Sequence, residues 1–167
     1  GLMQRSIRIS ATVIRKSKTW LSCLVVLGCM MIGNPVFSAD NWPTWRGPTG
    51  DGIAPPGDYP VSWSPEQNVL WRVKLPAPGG STPIVWGDRI IVTYVTAFED
   101  GQNAVRCFDW QGQQLWDTVL GEAVPGKHRK ASGCNPSPVT DGNHIFAYFK
   151  SGELACLDMD GKVLWKK

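Results

Sequence analysis

The sequence predicts an all-β chain, a β-propeller of four-stranded antiparallel blades with about two blades present and the ring incomplete. Three observations carry this reading. The string Cys107-Phe-Asp109-Trp-Gln-Gly112-Gln-Gln-Leu-Trp116 recurs as Cys156-Leu-Asp158-Met-Asp-Gly161-Lys-Val-Leu-Trp165, with Cys, Asp, Gly, Leu and Trp each 49 positions on. Upstream, Thr82-Pro-Ile-Val-Trp-Gly87-Asp-Arg-Ile90 recurs as Ser137-Pro-Val-Thr-Asp-Gly142-Asn-His-Ile145. Each copy breaks into short β-branched and aromatic runs separated by Gly, Asp and Asn, and four antiparallel strands in about 45–50 residues make a propeller blade. The 18 Gly and 13 Pro of the 167 residues exceed the usual combined share of about 12% and argue against a helical bundle.

Residues 1–38 read as a signal peptide. Arg5, Arg8, Arg15, Lys16 and Lys18 precede an apolar run, Trp20–Ile32, of about thirteen residues, short for a membrane span of about 20. Val36 and Ser38 stand at the −3 and −1 places for cleavage after Ser38, so the mature chain begins at Ala39 and no transmembrane helix remains after signal removal. Two other readings stay open: an uncleaved anchor, and lipid attachment at Cys29 in Val26-Leu27-Gly28-Cys29. Met3 reads as the start of translation, with Gly1 and Leu2 upstream of it. The formal charge of +3 belongs to this leader. Without its five cations, 12 basic side chains face 14 acidic ones, a net of −2. That near-neutral body excludes nucleic-acid binding, which needs a clustered basic face. Export also removes Cys23 and Cys29, leaving Cys107, Cys134 and Cys156, an odd number that allows at most one internal bridge. No CxxC and no zinc-spaced Cys/His cluster is present.

Residues 39–67 form a Pro/Gly/Trp-rich segment. Its composition predicts irregular backbone, while Trp42, Trp45 and Trp63 argue for packing. Residues 68–167 hold the blades. Asn68-Val-Leu-Trp71-Arg-Val-Lys-Leu75 is a third, partial copy, read as a spare strand over Val69–Leu75. The first full copy follows, and then an inter-blade insertion over Leu120–Asn135. In the second copy the expected strands are Ser137–Thr140, His144–Phe149, Leu154–Leu157 and Val163–Trp165. Turns fall at 141–143, Lys150–Gly152 and Asp158–Gly161.

The repeated Ser-x-Pro or Ser-Pro (Ser81-Thr82-Pro83 and Ser137-Pro138), the Gly turn and the Cys-x-Asp-x-x-Gly-x-x-Leu-Trp string resemble the PQQ-like (pyrroloquinoline quinone-type) β-propeller repeat. That repeat is the tryptophan-docked blade of quinoprotein alcohol dehydrogenases and of the bacterial outer-membrane assembly lipoprotein. Trp71 is followed by Arg72 and Trp165 by Lys166, so the Asp of Trp116-Asp117 is not part of the repeat, as it would be in WD40 blades. Gly79-Gly80 stands alone, unlike the recurrent pair of kelch blades. The family's string is Ala-x-Asp-x-x-Thr-Gly-x-x-x-Trp; this chain has Cys for Ala and one residue fewer before the Gly, so the turn is tighter and lacks the Thr. The opening Trp42-Pro-Thr-Trp45-Arg-Gly47-Pro-Thr-Gly50 is similar to the start of exported PQQ-like proteins of planctomycete-type bacteria. The family closes with roughly seven or eight blades, and an N-terminal strand often completes the last, the place Val69–Leu75 would fill. The resemblance therefore implies the N-terminal part of a longer propeller, one that would not fold cooperatively on its own because arrays draw stability from each neighbouring unit.

The resemblance implies that Trp116 and Trp165 dock between blades, with ligand stacking as the other reading. Asp109 and Asp158 sit at a turn entrance, where a short carboxylate accepts from backbone N–H groups; an acid or metal role is the alternative. Lys127-His128-Arg129-Lys130 is either a solvated loop or a contact to an acidic partner. His144 follows a turn and is expected to face solvent. Cys107 and Cys156 occupy the repeat's small-residue place and read as buried thiols; Cys134, on the insertion, reads as the more exposed one. A quinoprotein dehydrogenase would show adjacent cysteines forming a ring-stacked disulfide and Glu, Asn and Asp ligands for calcium. This sequence has no Cys-Cys pair, and no G-x-S-x-G, H-E-x-x-H or P-loop. The leading expectation is a periplasmic or secreted, non-catalytic scaffold binding a protein or saccharide partner in the cell envelope, with no evident cofactor. The alternative is a PQQ- and calcium-dependent alcohol or sugar dehydrogenase whose active site lies in further blades. A third possibility is a propeller joined to another exported catalytic domain.

Overall fold

The computed structural model describes residues 41–125 and 133–167. The expected leader, its cleavage site at Ser38 and Ala39, Cys29, and the basic run Lys127–Lys130 lie outside the described residues. Within them the chain forms eight strands and no helix. The strands are β1 (Ile84–Trp86), β2 (Arg89–Val95), β3 (Gln102–Phe108), β4 (Gln114–Glu122), β5 (Val139–Thr140), β6 (His144–Tyr148), β7 (Leu154–Asp158) and β8 (Val163–Lys166). They make two antiparallel meanders, β1-β2-β3-β4 and β5-β6-β7-β8, which are two adjacent propeller blades.

The two blades repeat in detail. Cys107 stands opposite Trp116 across β3 and β4, and Cys156 opposite Trp165 across β7 and β8. A register shift follows each cysteine, at Cys107/Phe108 and Cys156/Leu157, so each outer strand carries a bulge beside its Trp. Strand alternation then sends one set of side chains into the seam between the blades. From blade one come Ile91, Val105 and Cys107; from blade two, Ile145, Ala147, Phe149, Ala155 and Leu157. All eight are fully buried and belong to one core.

The N-terminal segment is irregular but anchored at its start. Trp42 pairs with Val85 of β1 through two backbone hydrogen bonds of 2.8 and 2.9 Å, and Thr140 of β5 donates to the Pro43 carbonyl at 3.0 Å. The Asn41 side chain accepts from Gly87 N–H at 2.8 Å. Asn41–Pro43 thus straps the inner strands of both blades.

Several expectations are corrected. Val69–Leu75 is not a strand: among the described residues no neighbouring strand ladders with it, and it is held by side chains instead. Trp45 and Trp63 are 61% and 65% exposed, so of the three early tryptophans only Trp42 packs. β4 continues to Glu122, which shortens the inter-blade insertion, because Gln102 at the start of β3 still offers it a partner. The first strand of blade two starts at Val139, since Pro136 and Pro138 have no N–H to give a ladder. Cys134 is fully buried within the shared core. The connector turns inward there, and an apolar thiol fills the space.

Candidate functional site

The seam between blades is built from the repeat's own residues. In blade two, Asp158 Oδ1 accepts from the N–H groups of Asp160 and Lys162 at 3.0 and 2.9 Å, and Gly161 N–H donates to the Asp158 carbonyl at 3.1 Å. In blade one, Asp109 Oδ1 accepts from Gln111 and Gln113 at 2.9 and 2.8 Å, with Gly112 N–H on the Asp109 carbonyl at 3.1 Å. Gly112 and Gly161 sit at φ +77° and +82°, the left-handed region that suits glycine. The carboxylates are therefore turned onto backbone and hold the turns shut.

Each turn receives an indole from the element before it. Trp116 lies against Gly161, and its Nε1 donates to the Met159 carbonyl at 3.1 Å. Arg89 Nε donates to that same carbonyl at 3.1 Å, and its guanidinium reaches Asp160 at 3.1 Å. One step earlier, Trp71 lies against Gly112 and donates to the Trp110 carbonyl at 2.8 Å. Trp71 also touches the Phe108 ring, with centroids 6.2 Å apart. Leu75 packs on the core as Leu120 does four residues beyond Trp116. Trp165 occupies the same place in blade two, meets no such turn among the described residues, and is 41% exposed beside Phe146. The acceptor carbonyls of Trp110 and Met159 were not singled out from sequence. Their position, directly after the repeated Asp, was the available signal.

Other polar groups are clustered by the sheets. On the face of blade one away from blade two, Tyr94 OH donates to Asp117 at 2.8 Å, and Arg106 Nη2 reaches Asp117 at 2.6 Å. The Arg106 guanidinium stacks 4.5 Å from the Tyr94 ring centroid. Burial, then the Asp117 carboxylate, pushes the Tyr94 hydroxyl up to about 12. At the seam, buried Asn103 donates across to Ser151 Oγ and Glu153 Oε2, both at 3.0 Å, and Lys166 meets Glu153 at 3.3 Å. In the first turn of blade two, His144 Nδ1 lies 3.0 Å from Asp141, and the His144 ring is half-exposed.

Three cavities open at the end of the blades that carries the β2–β3 and β6–β7 turns and the blade connectors. One of about 510 Å3 lies over Gly121, Ser151, Glu153 and Lys166. A second, of about 360 Å3, lies over 100–102 and 122–123. The third, of about 420 Å3, is lined by Trp45, Gly80, Asn135, Pro136 and Ser137.

Among the described residues no group of three or more His, Cys, Asp or Glu side chains comes together. Cys107, Cys134 and Cys156 are distant in sequence and each is buried. The described residues thus do not make up the vicinal disulfide and carboxylate set that a quinone–calcium site would need. Nor is any helix among them long and apolar enough to cross a membrane. Residues 61–167 match the PQQ-like repeat family described as outer membrane protein assembly factor BamB. No curated protein matches the chain significantly.

Proposed function

The chain belongs to the PQQ-like repeat family described as outer membrane protein assembly factor BamB, and from that premise we propose that it is a non-catalytic β-propeller scaffold of the cell envelope. The observation that carries the reading is the fate of the recurring polar side chains. Asp109 and Asp158 are spent on backbone turns, and Trp71 and Trp116 on the next turn along the chain. These recurring side chains, which could otherwise stack on a cofactor or act on a substrate, are thereby engaged in joining one unit to the next. In this reading Trp116, and Trp165 in the same place, serve blade docking, while binding belongs to the loops that a rigid scaffold displays. The family's description as an assembly factor supports a protein partner in the envelope, and the basic–apolar–small order of residues 1–38 supports periplasmic or secreted localisation.

The test is titration of the full chain with PQQ and calcium, following dye-linked oxidation of alcohols and sugars. A scaffold gives no PQQ-dependent dye reduction and is recovered from the envelope fraction. Dye reduction that requires both PQQ and calcium would replace this reading with that of a dehydrogenase.

A further inference from the structure

The scaffold reading does not say what the loops hold. The cavity of about 420 Å3 at Trp45 falls within the size range of small-ligand pockets. Three segments distant in sequence meet there: the N-terminal strap with Trp45, the connector into blade one with Gly80, and the connector into blade two with Asn135, Pro136 and Ser137.

Its floor is wired in place. Thr93, 1% exposed, bonds through its hydroxyl to Ser81 Oγ at 2.7 Å and to the Pro136 carbonyl at 2.9 Å. Thr82 N–H donates to Ser137 Oγ at 2.8 Å, tying the two connectors together. Gly80 leaves room for the amide of Asn135, since a Cβ there would stand 3.0 Å from Asn135 Oδ1. One wall is an indole that is 61% exposed, with the Arg46 guanidinium 5.0 Å from its ring centroid.

We propose that this cavity binds a neutral saccharide, with one sugar ring stacked on Trp45 and its hydroxyls bonded to Asn135 and the Ser137 region. The lining chemistry selects that class. A pyranose presents polarised C–H bonds on one face, which suit the negative face of an indole, and a rim of hydroxyls that suits amide and hydroxyl groups. None of the described lining residues is charged, and the neighbouring Arg46 guanidinium lies over the Trp45 ring, so the amide and hydroxyl groups of the lining suit neutral hydroxyls better than an anion. A lipid would find one aromatic wall and a polar floor. The inference rests on the scaffold reading and names the ligand class that one loop cluster displays.

The experiment uses the full chain with maltotetraose, cellotetraose and chitotetraose, followed by calorimetry and saturation-transfer NMR. At least one of the three should bind in the millimolar range or tighter. Trp45→Ala should weaken that binding by about tenfold or more, and Trp45→Phe should restore part of it. Asn135→Ala should also weaken it. Trp63→Ala removes an equally exposed indole outside the cavity and should leave it unchanged. Circular dichroism of each variant reports folding independently of binding. The proposal is overturned if none of the three sugars binds the folded chain, if binding survives Trp45→Ala, or if an acidic or proline-rich peptide binds at Trp45 in their place. Each of those results leaves the scaffold reading standing. PQQ-dependent dye reduction would remove the scaffold reading without touching the sugar isotherms.

Discussion

The six-membered ring of Trp116 covers Gly161 so closely that a Cβ added there would come within 2.5 Å of the indole. The same relationship joins Trp71 to Gly112, where the distance would be 2.6 Å. Glycine is thus needed twice at one residue, by its left-handed backbone and by the ring above it. Trp116→Ala should lose about 3–5 kcal/mol, the usual range for truncating a packed aromatic. Gly161→Ala should lose a comparable part of that through ring displacement and strain. Trp165→Ala should cost distinctly less, because this indole is 41% exposed and lies over no glycine turn among the described residues. Urea denaturation of the three variants checks the order, and equal losses for Trp116 and Trp165 would contradict it.

The carboxylates beneath those indoles give a second expectation. Asp158 Oδ1 holds two backbone N–H groups of the turn on which Trp116 rests. Asp158→Ala leaves both donors without that acceptor and should cost about 1–3 kcal/mol. Asp158→Asn keeps a carbonyl oxygen in the same place and should cost less. The NMR resonance of the Trp116 indole N–H is the specific readout: Asp158→Ala should shift it, because its acceptor is the Met159 carbonyl in the same turn, and Asp109→Ala should leave it where it is.

Both the sheets and the seam were legible because the fold repeats. A residue needed once is hard to recognise in a single sequence, but Asp109 and Asp158, or Trp116 and Trp165, needed twice at one spacing, declare themselves. The spare copy at Trp71 was visible for the same reason. Its backbone was not, because a ladder depends on a partner strand and not on the β propensity of Val69–Leu75 alone. Cys134 was misjudged because its burial follows from the path of a connector, which no periodicity encodes. The Trp45 cavity was invisible for a related reason: Trp45, Gly80 and Asn135 lie on three connectors that only the packed blades bring together.

Acid should loosen the first turn of blade two. Asp141 is held down to about 2 by its hydrogen bond to His144, and then by the N–H groups of Asn143 and His144. A depressed carboxyl favours the folded state above its unfolded value of 3.8, and that contribution is lost as pH falls toward 2. Thermal midpoints measured from pH 5 down to pH 2 should therefore fall more steeply for the native sequence than for Asp141→Asn. Asp141→Asn should be the less stable of the two at pH 5, and the two curves should converge at the acid end. Parallel curves would show that the turn does not depend on this charge.

At the alkaline end the sign reverses, and the reporter is Cys107. Its thiol is fully buried opposite Trp116, and burial pushes it up to about 12 from the ordinary 9.0. In the folded chain it keeps its proton where the unfolded chain has lost it. Its contribution is complete below pH 9 and disappears as pH climbs toward 12. Tyr94 is raised to about 12 from 10.0, so it draws on the upper part of the same window. Cys107→Ala removes the first of these and leaves the second. It should cost little at pH 7, since alanine is the residue the repeat family uses at this place and the change removes one sulfur. From pH 9 upward its stability should decline less steeply than that of the native sequence, with a residual slope that Tyr94→Phe removes. Buried thiols also react slowly, because the thiolate is the attacking form. At pH 8 a thiol reagent should leave Cys107 unmodified in the folded chain and modify it fully in urea, as peptide mapping would show. Rapid labelling of Cys107 in the folded chain would mean that the seam opens under native conditions and that Trp116 does not stay over Gly161.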